Sequence, residues 1–155
     1  MAKKIPYGLT DYFRIVTEDF YYVDKTKYIE DLEKTAAFLF LIRPRRFGKS
    51  LFLNMLNCYY DVKYADRFEE LFGNQYIGKH PTAEQGKYLV LRFNFSMVRA
   101  TDDKLEAAFN RHISLETAYF ASVYASYFKP DFQEQLKLIP EAAGRLEYIC
   151  LCAKE

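Results

Sequence analysis

Five consecutive apolar residues, Phe38-Leu39-Phe40-Leu41-Ile42, run directly into Arg43-Pro44-Arg45-Arg46-Phe47-Gly48-Lys49-Ser50. An apolar run without alternation reads as a strand buried on both faces of a parallel sheet. Beyond the basic stretch, Leu51, Phe52, Met55, Leu56 and Tyr59 recur at spacings of three and four. That spacing belongs to an amphipathic helix starting near Lys49. A buried strand, a tight loop and a helix, in that order, point to a layered α/β arrangement.

The loop itself carries chemistry. The general phosphate-binding pattern is G-x-x-x-x-G-K-[ST] between a strand and a helix. Gly48-Lys49-Ser50 matches its second half, and Arg43 stands at the position of the first glycine. Gly48 lets backbone amides turn inward around a phosphate without a Cβ in the way. Lys49 has the reach and charge for β- and γ-phosphates, Ser50 offers a hydroxyl to Mg²⁺, and the helix start adds partial positive charge. The guanidiniums of Arg43, Arg45 and Arg46 raise the local density of anion-binding groups. A bare G-K-[ST] arises by chance in roughly one chain of this length in ten, so the flanking strand and helix carry much of the specificity. The competing reading is a surface turn with Ser50 capping a helix. The loop reading makes Arg45, Arg46, Phe47, Gly48, Lys49, Ser50 and Leu51 the ATP-contacting positions, with Ser50 toward magnesium. The fold class expected is α/β: part of a P-loop NTPase three-layer sandwich, helix-rich, with an incomplete parallel sheet.

Around this centre, residues 1–37 form a lead-in. Lys3 to Asp19 reads as irregular, with a turn at Pro6-Tyr7-Gly8, and Phe20 to Val23 as a short strand. Asp24-Lys25-Thr26 offers an N-cap to a helix through Tyr28, Ile29 and Leu32, ending near Lys34. A sharper reading has this segment fold over the loop or the nucleotide base, where Tyr21 and Tyr22 are candidates to stack. Asp66 to Phe72 reads as a helix, Gly73 to Gly86 as a loop, and Tyr88 to Phe95 as a second strand. Thr101-Asp102-Asp103 caps a long helix from Leu105 to about Phe128, which Lys129-Pro130-Asp131 breaks. The remainder is helical, interrupted near Pro140.

Composition narrows the alternatives. The 155 residues are 50% hydrophobic and 28% charged, as in an ordinary folded domain, and the net charge of +1 gives no global footprint for nucleic acid. Three cysteines, Cys58, Cys150 and Cys152, do not make a disulfide framework. No apolar run approaches the ~20 residues that span a bilayer, and no signal peptide is read ahead of the cysteines, so a reducing cytoplasm is expected and no membrane partner. His80 and His112 have no companions at metal-ligand spacing.

The run Tyr22-Val23-Asp24-Lys25-Thr26, followed by a helix, an apolar strand and R-P-R-R-F-G-K-S, resembles the AAA-ATPase-like family of bacterial proteins. That family's loop is similar in lacking the first glycine, so Arg43 agrees with the resemblance. The resemblance implies an ATP-binding domain, with Lys49 on phosphate and Ser50 on magnesium. It also implies a following Walker B strand ending in acids and, in many relatives, a PD-(D/E)XK nuclease-like domain, through which alone nucleic acid enters. Hydrolysis requires carboxylates that hold Mg²⁺ and orient water, and Tyr88 to Phe95 runs into Ser96 without one. The expectation is therefore the N-terminal part of one such domain over 1–155, cut before the Walker B strand. Such a piece binds nucleotide weakly at best, does not hydrolyse it alone, and covers its open strand edge by self-association. The other class of function in view is an interaction or regulatory module whose loop is vestigial or binds nucleotide without turnover.

Overall fold

The computed structural model describes residues 3–35, 37–99 and 104–153. They divide into two compact units, the first ending at Val90 and the second beginning at Leu91. Helices build both. The first unit holds α1 (Tyr12–Thr17), α2 (Tyr28–Glu33), α3 (Lys49–Tyr60), α4 (Phe68–Phe72) and α5 (Tyr76–Lys79), with a 3₁₀ turn over Val62–Arg67 ahead of α4.

Its core forms around one face of α3. Met55, Cys58 and Tyr59, spaced by three and four, are buried among Tyr12, Ile29, Leu71, Phe72 and Ile77. Aromatic rings do much of the packing. Tyr12 stacks on Phe72 at 5.2 Å and meets Tyr22 edge-on at 5.2 Å, while Tyr59 meets Phe72 edge-on at 5.4 Å. Each such pair contributes about 0.5–1.5 kcal/mol beyond burial. Tyr12 also joins three helices through polar atoms. Its backbone N–H donates to Asn54 Oδ1 at 3.0 Å on α3, and its hydroxyl donates to the Leu71 carbonyl at 2.9 Å on α4. Burial holds that hydroxyl far above the usual tyrosine range. Gly78 on α5 passes so close to the Phe72 carbonyl that a Cβ there would collide with backbone, and only glycine permits the approach.

The expected three-layer α/β sandwich with a parallel sheet is not formed. Among the described residues the β structure amounts to a single parallel bridge, Asp61 with Tyr88, made by Val62 N–H to the Tyr88 carbonyl at 3.0 Å and Tyr88 N–H to the Tyr60 carbonyl at 2.9 Å. Phe38–Ile42, expected as a central buried strand, forms no strand and is unpaired and exposed: Phe38, Phe40 and Ile42 are 88, 92 and 91% exposed, against 49 and 43% for Leu39 and Leu41. A buried strand needs hydrogen-bond partners for its backbone, and the segment finds none among the described residues. Of Tyr88 to Phe95, only Tyr88 takes part in a bridge, and Phe95–Met97 is a 3₁₀ turn.

Other expectations also shift. Phe20 to Val23 forms no strand, and the lead-in expected as irregular contains α1, capped by Asp11 Oδ1 accepting from Arg14 N–H at 3.2 Å. The expected loop between Gly73 and Gly86 contains α5. The helix after Lys27 and the start of α3 at Lys49 fall where expected.

The second unit packs α6 (Leu105–Val123), α7 (Phe132–Leu138) and α8 (Ala142–Cys152). Ile113, Thr117, Phe120 and Ala121 line the buried face of α6, and Phe132 stacks between Phe128 at 3.9 Å and Tyr148 at 5.5 Å. Gln133 donates to the Ala121 carbonyl and Ala142 N–H donates to Asn110 Oδ1, tying α7 and α8 to α6. The long helix ends at Val123 rather than Phe128, giving way to a 3₁₀ turn over Ala125–Tyr127. Its expected cap, Thr101-Asp102-Asp103, lies outside the described residues. Among the described residues no helix is long and apolar enough to cross a membrane.

Candidate functional site

The loop ahead of α3 is shaped by two left-handed residues, Arg46 with φ 67° and Gly48 with φ 74°. Glycine adopts this conformation freely; for an L side chain such as Arg46 it costs about 1–2 kcal/mol. Strain of this kind persists only where surrounding structure enforces it, and it gathers at ligand-binding turns. Gly48 is the residue from which α3 departs: its carbonyl accepts the Phe52 N–H at 2.9 Å, and no side chain caps the amides of the first turn. Those amides and the helix dipole together suit an anion.

Lys49 folds back across the loop. Its ammonium donates to the carbonyls of Arg43 at 2.7 Å and Pro44 at 2.8 Å, so the first and seventh residues of the motif are tied together. Ser50, the second residue of α3, is exposed, and its hydroxyl makes no hydrogen bond among the described residues. Arg43, Arg45 and Arg46 are exposed, as is Phe47 at 59%. Leu51 is half-buried and packs on the core, which leaves its backbone amide as the group available at the helix start. The structure thus brings Gly48, Lys49 and Ser50 together at one helix terminus, without the sheet that was expected to support them.

The segment Asp24-Lys25-Thr26 has a different role from the one its spacing suggests. The helix that follows it, α2, starts after Lys27 and has no side-chain cap. Asp24 and Thr26 instead cap α5, about fifty residues away. Asp24 Oδ2 accepts the Tyr76 N–H at 2.7 Å, and Thr26 Oγ1 accepts the Ile77 N–H at 3.1 Å. Asp24 Oδ1 in turn accepts the Thr26 N–H at 2.8 Å and its hydroxyl at 2.7 Å. Thr26 is fully buried. Lys25, between them, reaches the other way: its Nζ lies 3.8 Å from where a Cβ on Gly48 would sit. Sequence spacing finds Asp24 and Thr26 as cap residues but not the helix they cap, since no local signal connects them to Tyr76.

The remaining candidates are less suited. Tyr22 is half-buried against Tyr12, and burial raises its hydroxyl well above the usual range despite a hydrogen bond from the Lys25 backbone. Its ring is therefore committed to the core, while Tyr21 is 57% exposed. His80 is exposed and stacks on Tyr76, and His112 lies in the second unit with Nε2 buried and unpartnered. Among the described residues no three His, Cys, Asp or Glu side chains group as a metal site, and the three cysteines are free thiols.

Comparison with known proteins bears on the loop's setting. The model of a family described as Predicted AAA-ATPase matches residues 6–149. A protein of Azotobacter chroococcum mcd 1, described as an uncharacterized protein in the vnfD 5' region, is 49% identical over 55 residues, which are 35% of this chain and 11% of that protein. The chain therefore matches about a tenth of that relative's length. No solved structure matches.

The two left-handed residues give opposite expectations. Arg46→Gly removes the strain and stabilises the protein by about 0.5–1 kcal/mol in urea unfolding, reduced by the chain entropy glycine adds to the unfolded state. Gly48→Ala destabilises it by about 1–2 kcal/mol, although Lys25 Nζ, at 3.8 Å, leaves room for the methyl group. Equal effects from both substitutions would show that backbone conformation does not shape this loop.

Proposed function

Because the chain belongs to the Predicted AAA-ATPase family, we propose that Arg43–Leu51 is its nucleotide-phosphate grip, taking ATP with Mg²⁺. The observation that carries this reading is the Lys49 ammonium held at 2.7 and 2.8 Å by the Arg43 and Pro44 carbonyls. An ammonium has three donors; with two fixed on the loop's own start, the third is left for a phosphate oxygen. Gly48 turns the amides of Lys49, Ser50 and Leu51 toward the same anion, and Arg45 and Arg46 add charge at the rim. The Ser50 hydroxyl, free of internal hydrogen bonds, fits a magnesium ligand. Bound Mg²⁺ supplies charge neutralisation of the phosphates; the chain's residues bind and orient.

Arg43 to Leu51 contains no carboxylate, so what these residues provide is binding rather than activation of water. Turnover by the whole protein separates an ATPase from a regulatory module that holds nucleotide without hydrolysing it. A cytoplasmic setting, where thiols such as Cys58 stay reduced, agrees with either. The exposed, backbone-unpaired segment Phe38–Ile42 supports a further part of the reading: the chain of residues 1–155 self-associates through it. Open extended segments with apolar side chains recruit pairing partners.

A thermal-shift titration with Mg·ATP is expected to give saturable stabilisation that disappears in Lys49→Ala. At a hundred times the dissociation constant the stabilisation amounts to about 2.7 kcal/mol. An unchanged melting temperature would rule the reading out. Light scattering is expected to show mass rising with concentration, and Phe40→Lys to suppress the rise; a clean monomer over a wide range would contradict self-association.

A further inference from the structure

Among the described residues no carboxylate forms an ion pair with the charges around the loop. The chain has 22 Lys and Arg against 21 Asp and Glu, so acids are not scarce. Yet ion pairs join Lys3 to Asp19, Arg14 to Glu18, Lys34 to Glu30 and Arg67 to Glu70. None involves Arg43, Arg45, Arg46, Lys49 or Lys25. Of these five, Lys25 alone comes from outside the loop motif. Its ammonium lies beside Gly48, 3.8 Å from the position of a missing Cβ, against a helix terminus that is itself partially positive.

Like charges gathered at one point repel, and a flexible lysine left to itself swings out to solvent. Lys25 has less freedom to do so. Asp24 and Thr26 on either side are fastened to each other and to Tyr76 and Ile77 by hydrogen bonds of 2.7 to 3.1 Å. The clasp turns two side chains of the segment toward α5 and leaves the third facing Gly48.

We propose that Lys25 is a second phosphate-binding ammonium of this site, contacting the polyphosphate of a nucleoside di- or triphosphate beside Gly48. The inference rests on the nucleotide reading of Arg43–Leu51 and adds to it a residue outside the motif. Asp24 and Thr26 are positioning residues that aim the lysine.

The test is calorimetric titration of Mg·ATP into the wild-type protein and into Lys25→Gln, Lys25→Arg and Lys49→Ala, with the melting temperature of each unliganded protein recorded. Loss of one charge-assisted hydrogen bond corresponds to a roughly 10–100-fold weaker Kd for Lys25→Gln, with Lys25→Arg recovering most of the loss and the unliganded melting temperature unmoved. Lys25→Gln binding within about twofold of wild type, while Lys49→Ala loses binding, would overturn the role of Lys25 and leave the phosphate grip standing. Absence of binding to the wild-type protein would remove the grip itself, and Lys25 with it. If Lys25→Gln fails to fold, Lys25→Arg decides: near wild-type affinity supports a charge contact, and a comparable collapse shows that Lys25 acts by packing.

Discussion

The start of α3 depends on the burial of its far face. Met55, Cys58 and Tyr59 are locked among Tyr12, Leu71 and Phe72, and that contact fixes the helix axis and so the direction of its first turn. Each large buried side chain contributes about 1.5–3 kcal/mol, enough to hold a strained loop whose left-handed Arg46 costs about 1–2 kcal/mol. The same core seats α4, and through Ile77 it seats α5, whose first amides receive Asp24 and Thr26. One packed cluster thus orients both the loop of Arg43–Ser50 and the segment that brings Lys25 beside it.

The electrostatics follow from that placement. The carbonyls of Arg43 and Pro44 hold the ammonium of Lys49, a neutral partnership that leaves its charge undiminished. Lys25 and the loop arginines likewise have no carboxylate partner among the described residues, whereas Lys3, Arg14, Lys34 and Arg67 each pair with an acid. The polyphosphate proposed for this site would supply that charge, and several charge-assisted hydrogen bonds at once.

How much of this was legible in the sequence depends on how local each signal is. The helix beginning at Lys49 was, because Leu51, Phe52, Met55, Leu56 and Tyr59 repeat within one segment, and the turn at Gly48 was, because few residues other than glycine take that conformation. The sheet was not. Phe38–Ile42 has the composition of a buried strand, but burial needs a paired neighbour, and pairing is a non-local fact; the segment stays unpaired and exposed among the described residues. The six-residue α1 reads as irregular in sequence despite Asp11 as its cap and Tyr12 and Ile15 three apart, since so short a helix owes its stability to the core around Tyr12. Asp24 and Thr26 were recognised as cap residues and assigned to the adjacent helix, because nothing near them in the chain announces Tyr76 and Ile77.

On the proposed reading this site grips phosphate rather than base. Isothermal titration of Mg·ATP and of adenosine into the protein tests it most directly. Several charge-assisted contacts to phosphate correspond to a Kd for Mg·ATP at least about 100-fold below that for adenosine. Adenosine binding within a few fold of Mg·ATP would contradict the account.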